Sequence, residues 1–396
     1  MKITPRVAVT LTFIAFGAVM GSQTGAIPVL KQQTGADAFV FGILSSIGTL
    51  ANIIAMSLGG PIAKRFDNRN VLLFILPVDF AALVYALTVS SVFAFGLSFF
   101  LILFAIGCTD LFMNAEAGVV EHEAKKPIFA SFHGAVLLSM GFFGLVSGFI
   151  SVTFGPLWAA LAALPFVVAA VYAVNKAIPH RPVHIANTNA SNVVLPRKIL
   201  ILIGVIIGMD VAAELTCIQW SGQLLAQLQP SLAAYSGLGI AFYGLFNGGI
   251  RSVGDNLRHY FTDLTLVAAS LVVSLIGFIV LALNPGFVIS IIAFAITGMG
   301  LGLIFPCLFS VAAKLAPEAR PAALGLVSFV SGPARICFPF LLGAIAQVYG
   351  LSMIYLAAGL GVTVALFFTQ WVAREIAAKK QKEAQVSLRP STQSLN

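Results

Sequence analysis

Long apolar stretches, each about 20 residues long, follow one another along almost the whole chain and are separated by short polar turns. Hydrophobic residues make up 59% of the sequence and charged residues only 9%, whereas roughly a quarter of the residues in a soluble domain are charged. A helix of this length satisfies its own backbone hydrogen bonds inside a bilayer. The sequence therefore predicts an all-α polytopic membrane protein.

Twelve such stretches can be counted. Their predicted bounds are 7–30, 39–63, 71–90, 93–119, 128–152, 156–177, 199–224, 233–253, 263–283, 287–312, 321–346 and 351–373. The long polar connection at 178–198 divides the chain into an N-terminal six-helix bundle (1–177) and a C-terminal six-helix bundle (199–374). The tail at 375–396 is rich in Lys, Gln and Ser and is predicted to be a disordered extension.

Basic residues are distributed very unevenly between the two predicted faces of the membrane. If the spans alternate in direction, all of the 22 Lys and Arg residues except Lys31 and Arg335 fall on one face or in the tail that leaves it. The positive-inside rule assigns that face, with both termini, to the cytoplasm. The same rule accounts for the net charge of +8, so we expect the lipid bilayer, and not a nucleic acid, as the partner of these charges.

No pattern of residues indicates an enzyme or a bound cofactor. The four cysteines, Cys108, Cys217, Cys307 and Cys337, lie inside apolar stretches, where they act as small apolar residues. Neither metal-ligand spacing nor a phosphate-binding loop is present. No nucleophile, base and orienting group occur at one depth. We therefore predict no catalytic residues, no metal and no cofactor.

Two basic segments half a chain apart indicate an internal duplication. Residues 59–69 and 248–258 each follow an apolar stretch, begin with paired glycines and contain basic residues and an aspartate. They resemble the signature loop of the major facilitator superfamily between its second and third spans and the echo of that loop between the eighth and ninth. Within the superfamily, the chain resembles a bacterial inner-membrane branch related to fucose permeases and bypass-of-stop-codon-like proteins.

Five groups of residues carry the likeness to this branch. They are Ala26-Ile27-Pro28, the segment from Asp110 to Glu116, Phe132-His133-Gly134, Glu214 with Trp220-Ser221, and Gly254-Asp255. The resemblance implies two pseudo-symmetric six-helix bundles, here expected as a monomer, around a substrate site near the midplane of a bacterial inner membrane. The chain departs from the superfamily's signature loop at Lys64, where an acidic residue is usual, and from the branch at Ala26, where an arginine is common.

Ionisable residues inside the predicted spans point to a central polar site, because a charge near the bilayer centre costs roughly 2.5–3.5 kcal/mol on insertion scales. Asp210 and Glu214 share one face of the seventh span, and Arg335 on the eleventh span lies at a similar depth. We expect Arg335 to pair with Glu214 or Asp210 until a substrate group or a proton competes. A permanent structural ion pair is the alternative.

The candidate site residues fall into three groups. The substrate-binding candidates are Gln23, Gln219, Trp220, Tyr243, Asn247 and Arg335, and the proton-coupling candidates are Asp110, His133, Asp210 and Glu214. The gating candidates on the basic face are Lys64, Arg65, Arg69, Glu116, Asp255 and Arg258. For the gate we expect Glu116 to pair with the basic loop; a solvated helix end balanced by loop cations is the alternative.

These features predict a secondary transporter. We expect it to move a small polar organic solute, sugar-like or carboxylated, by alternating access and as a symporter driven by protons or another coupling ion. Efflux of amphipathic or drug-like compounds is the alternative function. A membrane receptor or scaffold that kept the fold and lost transport is a third possibility, from a different class of protein.

Overall fold

The computed structural model describes residues 3–125, 128–181 and 195–387, and within these ranges it is helical and contains no strand. The helices are α1 Pro5–Thr34, α2 Ala38–Ala63, α3 Asn68–Ala86, α4 Val92–Ala124, α5 Phe129–Thr153, α6 Pro156–Ala177, α7 Arg197–Leu228, α8 Leu238–Tyr260, α9 Asp263–Ala282, α10 Phe287–Leu301, α11 Ile304–Leu315, α12 Arg320–Tyr349 and α13 Leu351–Ser387. The predicted all-helical membrane fold is confirmed.

The tenth predicted span is interrupted. Helices α10 and α11 follow one another with only Gly302 and Leu303 between them, so together they form one span. With this pair counted once, the helices make twelve spans. Eleven of these, in the part of the chain that the structure describes, are long and apolar enough to cross a membrane. The twelfth, α8, carries polar and charged residues along one face.

Short side chains define the starts of several helices. Thr4, Asp37, Asp67 and Ser91 each accept a hydrogen bond from the backbone N–H three residues further on, which satisfies a donor that the helix start leaves free. Helix α1 ends at Gly35, whose φ of 71° lies in the left-handed region that glycine adopts without strain. These caps explain why the helix starts follow the polar turns of the sequence closely.

Two predicted boundaries are wrong. The eighth span was expected to end at 253, but α8 continues to Tyr260 and so contains the whole basic segment 248–258. Gly248, at the start of this segment, faces α5, where a Cβ atom on it would lie 3.4 Å from Leu137 Cβ and 3.6 Å from the Gly134 carbonyl oxygen. The second boundary is that of the tail at 375–396, which was expected to be disordered but is helical as far as Ser387 because α13 continues to that residue.

The first six helices and the last seven form two halves that meet along α1 with α7, α2 with α12, and α5 with α8. We call the end where α1 begins and α8 ends the basic face, and the other end the opposite face. At the opposite face the backbones of α2 and α12 approach closely: a Cβ atom on Gly42 would lie 2.8 Å from Gly343 Cα. Small residues permit this approach of helices in a membrane.

Side chains also join the halves at the opposite face. Lys31 Nζ on α1 donates a hydrogen bond of 2.6 Å to Gln223 Oε1 on α7, and the rings of Phe41 and Trp220 lie 5.0 Å apart, edge to face. At the basic face a cavity of about 440 Å³ lies between the halves. Its lining includes Glu121, Phe129 and His133 from one half and Arg251, Arg258, Phe305 and Phe309 from the other. The fold is thus closed at the opposite face and hollow at the basic face.

Candidate functional site

An ion pair between α7 and α8 occupies the interior of the C-terminal half. Arg251 Nη2 donates to Glu214 Oε1 at 3.0 Å, and both side chains are only 18% exposed. Asn247 Nδ2 lies 3.3 Å from the same carboxylate oxygen and 3.1 Å from the hydroxyl of Tyr243. Tyr243, Asn247 and Arg251 follow one another at intervals of four residues, which places them on one face of α8.

The expected pairing of Arg335 with Glu214 or Asp210 is not the one that the structure contains. Glu214 pairs with Arg251, while Arg335 on α12 lies within electrostatic range of Glu214 and of Asp110 on α4. Arg335 Nε is buried and has no hydrogen-bond partner in the described part of the chain. Arg251 was not among the candidate site residues, because the basic segment 248–258 was interpreted as a counterpart of the signature loop. The four-residue spacing from Tyr243 and Asn247 is the signal that Arg251 shares their helix face.

Asp210 lies one helical turn before Glu214 on α7 and is fully buried. Both of its carboxylate oxygens lack a hydrogen-bond partner among the described residues. It is within electrostatic range of Glu214 and Arg251. A buried carboxyl group without partners is costly when ionised, so Asp210 is a group whose proton occupancy responds to the charges around it.

The N-terminal half contributes Asp110 and His133. Asn114 Nδ2 donates to Asp110 Oδ1 at 2.9 Å, and Asp110 lies within electrostatic range of Arg335. His133 on α5 packs between the rings of Phe13 and Phe129 and is within electrostatic range of Arg251. A series of neighbouring ionisable side chains therefore runs from one half to the other. We call it the central charge chain: Asp110, Arg335, Glu214, Arg251 and His133.

The other substrate-binding candidates lie apart from the central charge chain, towards the opposite face. Trp220 is 1% exposed and packs against Phe41, and Lys31 Nζ lies 5.4 Å from the centre of its ring. Gln23 and Gln219 are buried, and Gln23 Nε2 and Gln219 Oε1 have no hydrogen-bond partner within the described ranges. The structure thus separates the predicted substrate-binding residues into a central group and a group in the closed seam.

The gating candidates of the N-terminal half pair differently from the prediction. Glu116 is fully buried and pairs with Arg181, which follows α6 and also bonds Glu123 at 3.0 Å. Arg69 instead donates to the carbonyl and side-chain oxygens of Asn175 and contacts the ring of His180 at 2.7 Å. The two remaining candidates are exposed; they are Lys64 and Arg65. The expected partners of Glu116 were wrong because residues 178–181, treated as linker, fold back onto the α2–α3 turn.

The gating candidates of the C-terminal half lie on α8. Arg258 Nε pairs with Asp263 Oδ1 at 2.8 Å, and Asp263 Oδ2 also accepts from Lys314 at 2.7 Å and from Ser310 at 3.0 Å. The side chain of Asp255 lies outside the described residues. The ion pair of Glu116 with Arg181 is therefore formed within the N-terminal half, and that of Arg258 with Asp263 within the C-terminal half.

Neither a metal nor a catalytic centre emerges from the described residues. No group of His, Cys, Asp and Glu side chains among them could hold a metal ion. Glu121, near the end of α4, accepts the backbone N–H of Ile128 at 2.8 Å and of Phe129 at 2.5 Å through its Oε2. It therefore caps the start of α5.

Two helical halves that enclose ionisable groups and close at one end define a membrane transporter. The profile of the Major Facilitator Superfamily matches residues 9–317, and the chain belongs to that superfamily. An uncharacterized MFS-type transporter of Yersinia pestis is 25% identical over 367 residues, which cover 89% of this chain and 92% of that protein. Membrane protein MosC of Rhizobium meliloti is 24% identical over 378 residues, covering 91% of this chain and 90% of MosC.

Solved structures share the fold. The nucleoside transporter NupG in its D323A form has a TM-score of 0.75 at 16% identity, covering 93% of this chain and 100% of the other. The xylose transporter XylE from E. coli has a TM-score of 0.70 at 11% identity, covering 92% and 96%. As a member of the Major Facilitator Superfamily, the chain is a secondary transporter of a small solute and not an enzyme.

Proposed function

We propose that this protein moves a small polar organic solute, sugar-like or carboxylated, across the bacterial inner membrane by proton-coupled alternating access. In this proposal it acts as a monomer of the branch related to fucose permeases, and the units that rock are the halves at 1–177 and 199–374. The observation that carries the proposal is the central charge chain, in which groups of α4 and α5 interact electrostatically with groups of α7, α8 and α12.

The asymmetry between the two faces supports the alternating-access part of the proposal. By the positive-inside rule the basic face is cytoplasmic. The cavity at this face and the closed seam at the opposite face then correspond to an inward-facing state. Rocking of the halves would separate Lys31 from Gln223 and bring the cavity walls together, which exposes the central charge chain to the periplasm.

Competition at the Glu214–Arg251 ion pair would couple a proton to the solute. A proton that binds a carboxylate oxygen of Glu214 removes its negative charge and weakens its hold on Arg251. The guanidinium is then free to donate to an acceptor group of the solute. Once both have left on the cytoplasmic side, Glu214 is ionised again and the ion pair reforms. Asp110 lies within electrostatic range of Arg335, and Asp210 and His133 lie within electrostatic range of Arg251, so a change in the protonation of any of the three would shift this balance.

Proteoliposomes that enclose a pH-sensitive dye test the proposal with sugars, sugar acids, amino acids and nucleosides. We expect one class of solute to carry protons with it. Glu214→Gln, which mimics the protonated carboxyl, is expected to abolish accumulation driven by a proton gradient and to retain solute exchange at equal concentrations. Accumulation that persists in this variant would contradict the assigned role of Glu214. If a solute binds but no solute is transported, a receptor function would be favoured.

Efflux of amphipathic compounds is the second candidate function, because aromatic rings line the cavity at the basic face. Phe129, Phe305 and Phe309 present apolar surface there, and the last two are stacked with their ring centres 4.3 Å apart. Export of amphipathic cations from cells, unchanged by Arg251→Gln, would support this function over uptake of a polar solute.

A further inference from the structure

Two arginines of the central charge chain have a buried N–H group without a partner. Arg251 Nε and Arg335 Nε are both inaccessible to solvent, and neither forms a hydrogen bond within the residues that the structure describes. An unsatisfied donor on a charged group is unfavourable in a desolvated site, so such a group is expected to find an acceptor when one enters. An acceptor group of a bound solute would satisfy both donors.

The two arginines have Glu214 as a common counter-charge, whereas Asp210, which is within electrostatic range of Arg251, bonds neither of them. Glu214 bonds Arg251 directly and lies within electrostatic range of Arg335. A single carboxylate cannot neutralise two guanidinium groups. The remaining carboxylate near Arg335 is Asp110, which belongs to the other half and is bonded by Asn114. When Glu214 takes up a proton, Arg251 loses the carboxylate that bonds it, and Arg335 is left with Asp110 of the other half as a neighbouring carboxylate. Asp210 stays within electrostatic range of Arg251 without bonding it.

Acceptor atoms without partners accompany these donors. Asn247 donates its amide N–H to Glu214 and Tyr243, but its carbonyl Oδ1 is buried and has no partner in the described structure. Asn114 donates to Asp110, and its Oδ1 is likewise buried and without a partner there. A solute that satisfies these two atoms must carry donor groups such as hydroxyls, in addition to an anionic group.

We propose that the solute is a hydroxylated monocarboxylate, a sugar acid, whose carboxylate binds between Arg251 and Arg335 and whose hydroxyl groups donate to Asn114 and Asn247. This inference rests on the proposed function and narrows it. Guanidinium groups match the geometry of a carboxylate through paired N–H donors. A neutral sugar offers the two Nε–H groups only weak acceptors. A carboxylate without hydroxyl groups leaves both asparagine oxygens unpaired. An organic cation is repelled by the two arginines.

Binding to the purified full-length protein tests the proposal. The probes are D-gluconate, D-galactonate and D-glucuronate, with D-glucose, hexanoate and D-glucosamine as the neutral, hydroxyl-free and cationic comparisons, and uridine as an unrelated polar solute. We expect a sugar acid to bind at least tenfold more tightly than each comparison in calorimetry. Arg251→Gln and Arg335→Gln are each expected to weaken its binding by about 10- to 100-fold.

Control variants separate recognition from folding. Arg251→Lys and Arg335→Lys keep the charge but lose the paired donors, so we expect intermediate affinities. Arg374→Gln carries the same change at an exposed position on α13 and is expected to bind as the unmodified protein does. An equal loss in Arg374→Gln and Arg251→Gln, or tight binding of hexanoate equal to that of the sugar acids, would overturn the proposal.

Flux measurements distinguish failure of this inference from failure of the proposed function. If glucose or uridine binds and is carried into proteoliposomes while no sugar acid binds, the solute class is wrong and the transport function stands. If a sugar acid binds through both arginines but no flux follows in either direction, the binding site stands and transport is wrong.

Discussion

The two ends of the interface between the halves are held in different ways. At the opposite face, backbones meet at Gly42 and Gly343, and Lys31 of one half is enclosed by Trp220 and Gln223 of the other. At the basic face, the ion pair of Glu116 with Arg181 lies within the N-terminal half, and that of Arg258 with Asp263 lies within the C-terminal half. The seam at the opposite face therefore holds the present state, whereas the basic face can close without first breaking these pairs.

This difference separates contacts that set the conformation from contacts that set stability. A substitution in the opposite seam should change which face is open and leave each half folded. A substitution in a basic-face cluster should lower the stability of its half and leave the balance between the two states largely unchanged. Four substitutions test this division.

The largest effect is expected for Gly42→Leu. A Cβ atom at this position would lie 2.8 Å from Gly343 Cα and 2.6 Å from the carbonyl oxygen of Pro339, so the side chain cannot fit while the seam is closed. We expect transport to fall by more than tenfold and a cysteine placed in the seam to become reactive to an impermeant reagent from the periplasmic side.

Gly118→Leu is the matched control, because a Cβ atom on this α4 residue meets no atom within 4 Å among the described residues. It should transport as the unmodified protein does. Normal transport by Gly42→Leu would show that the seam does not close as tightly in the working protein as it does here.

Arg181→Gln should act on stability instead. The variant leaves the buried carboxylate of Glu116 without its cation, and removal of one partner from a buried pair destabilises by about 3 kcal/mol. Thermal unfolding of the purified protein should show this loss, with the accessibility of the seam cysteine unchanged. The double variant Arg181→Gln with Glu116→Gln should recover most of it, because no unpaired charge then remains. A shift in accessibility without loss of stability would mean that Arg181 gates the cavity.

Lys31→Met is expected to shift the balance between states by about 2 kcal/mol, or about 30-fold, because it removes a charged hydrogen bond and the contacts of the ammonium group with two aromatic rings. Distances between spin labels at the opposite face should show more of the open form, with the unfolding temperature preserved. Lys31→Arg should keep the closed seam. An unchanged distance distribution in Lys31→Met would assign closure to the glycine contact alone.

The sequence was sufficient to predict the helices but not all of their partners. The length of an apolar stretch and its capping residues specify a membrane helix locally. This is why most of the predicted spans match helices of the structure. Arg251, the partner of Glu214, lies in a segment whose paired glycines and basic residues are typical of a loop, whereas in the structure Gly248 marks a close approach of α8 to α5. Arg181 pairs with Glu116 only because residues 178–181 fold back, which no local pattern indicates.

The smallest effect is expected for Lys314→Gln in the C-terminal cluster. Lys314 is 71% exposed, and Asp263 keeps its bonds to Arg258 and Ser310 when the lysine is removed. Exposed pairs contribute little, so the loss should be about 0.5 kcal/mol of unfolding free energy, without a change in transport. The same measurement on Arg181→Gln gives the comparison, since there the bound carboxylate is buried. A loss in Lys314→Gln as large as that in Arg181→Gln would mean that burial does not distinguish the two clusters, and that the C-terminal cluster holds its half together as strongly as its N-terminal counterpart.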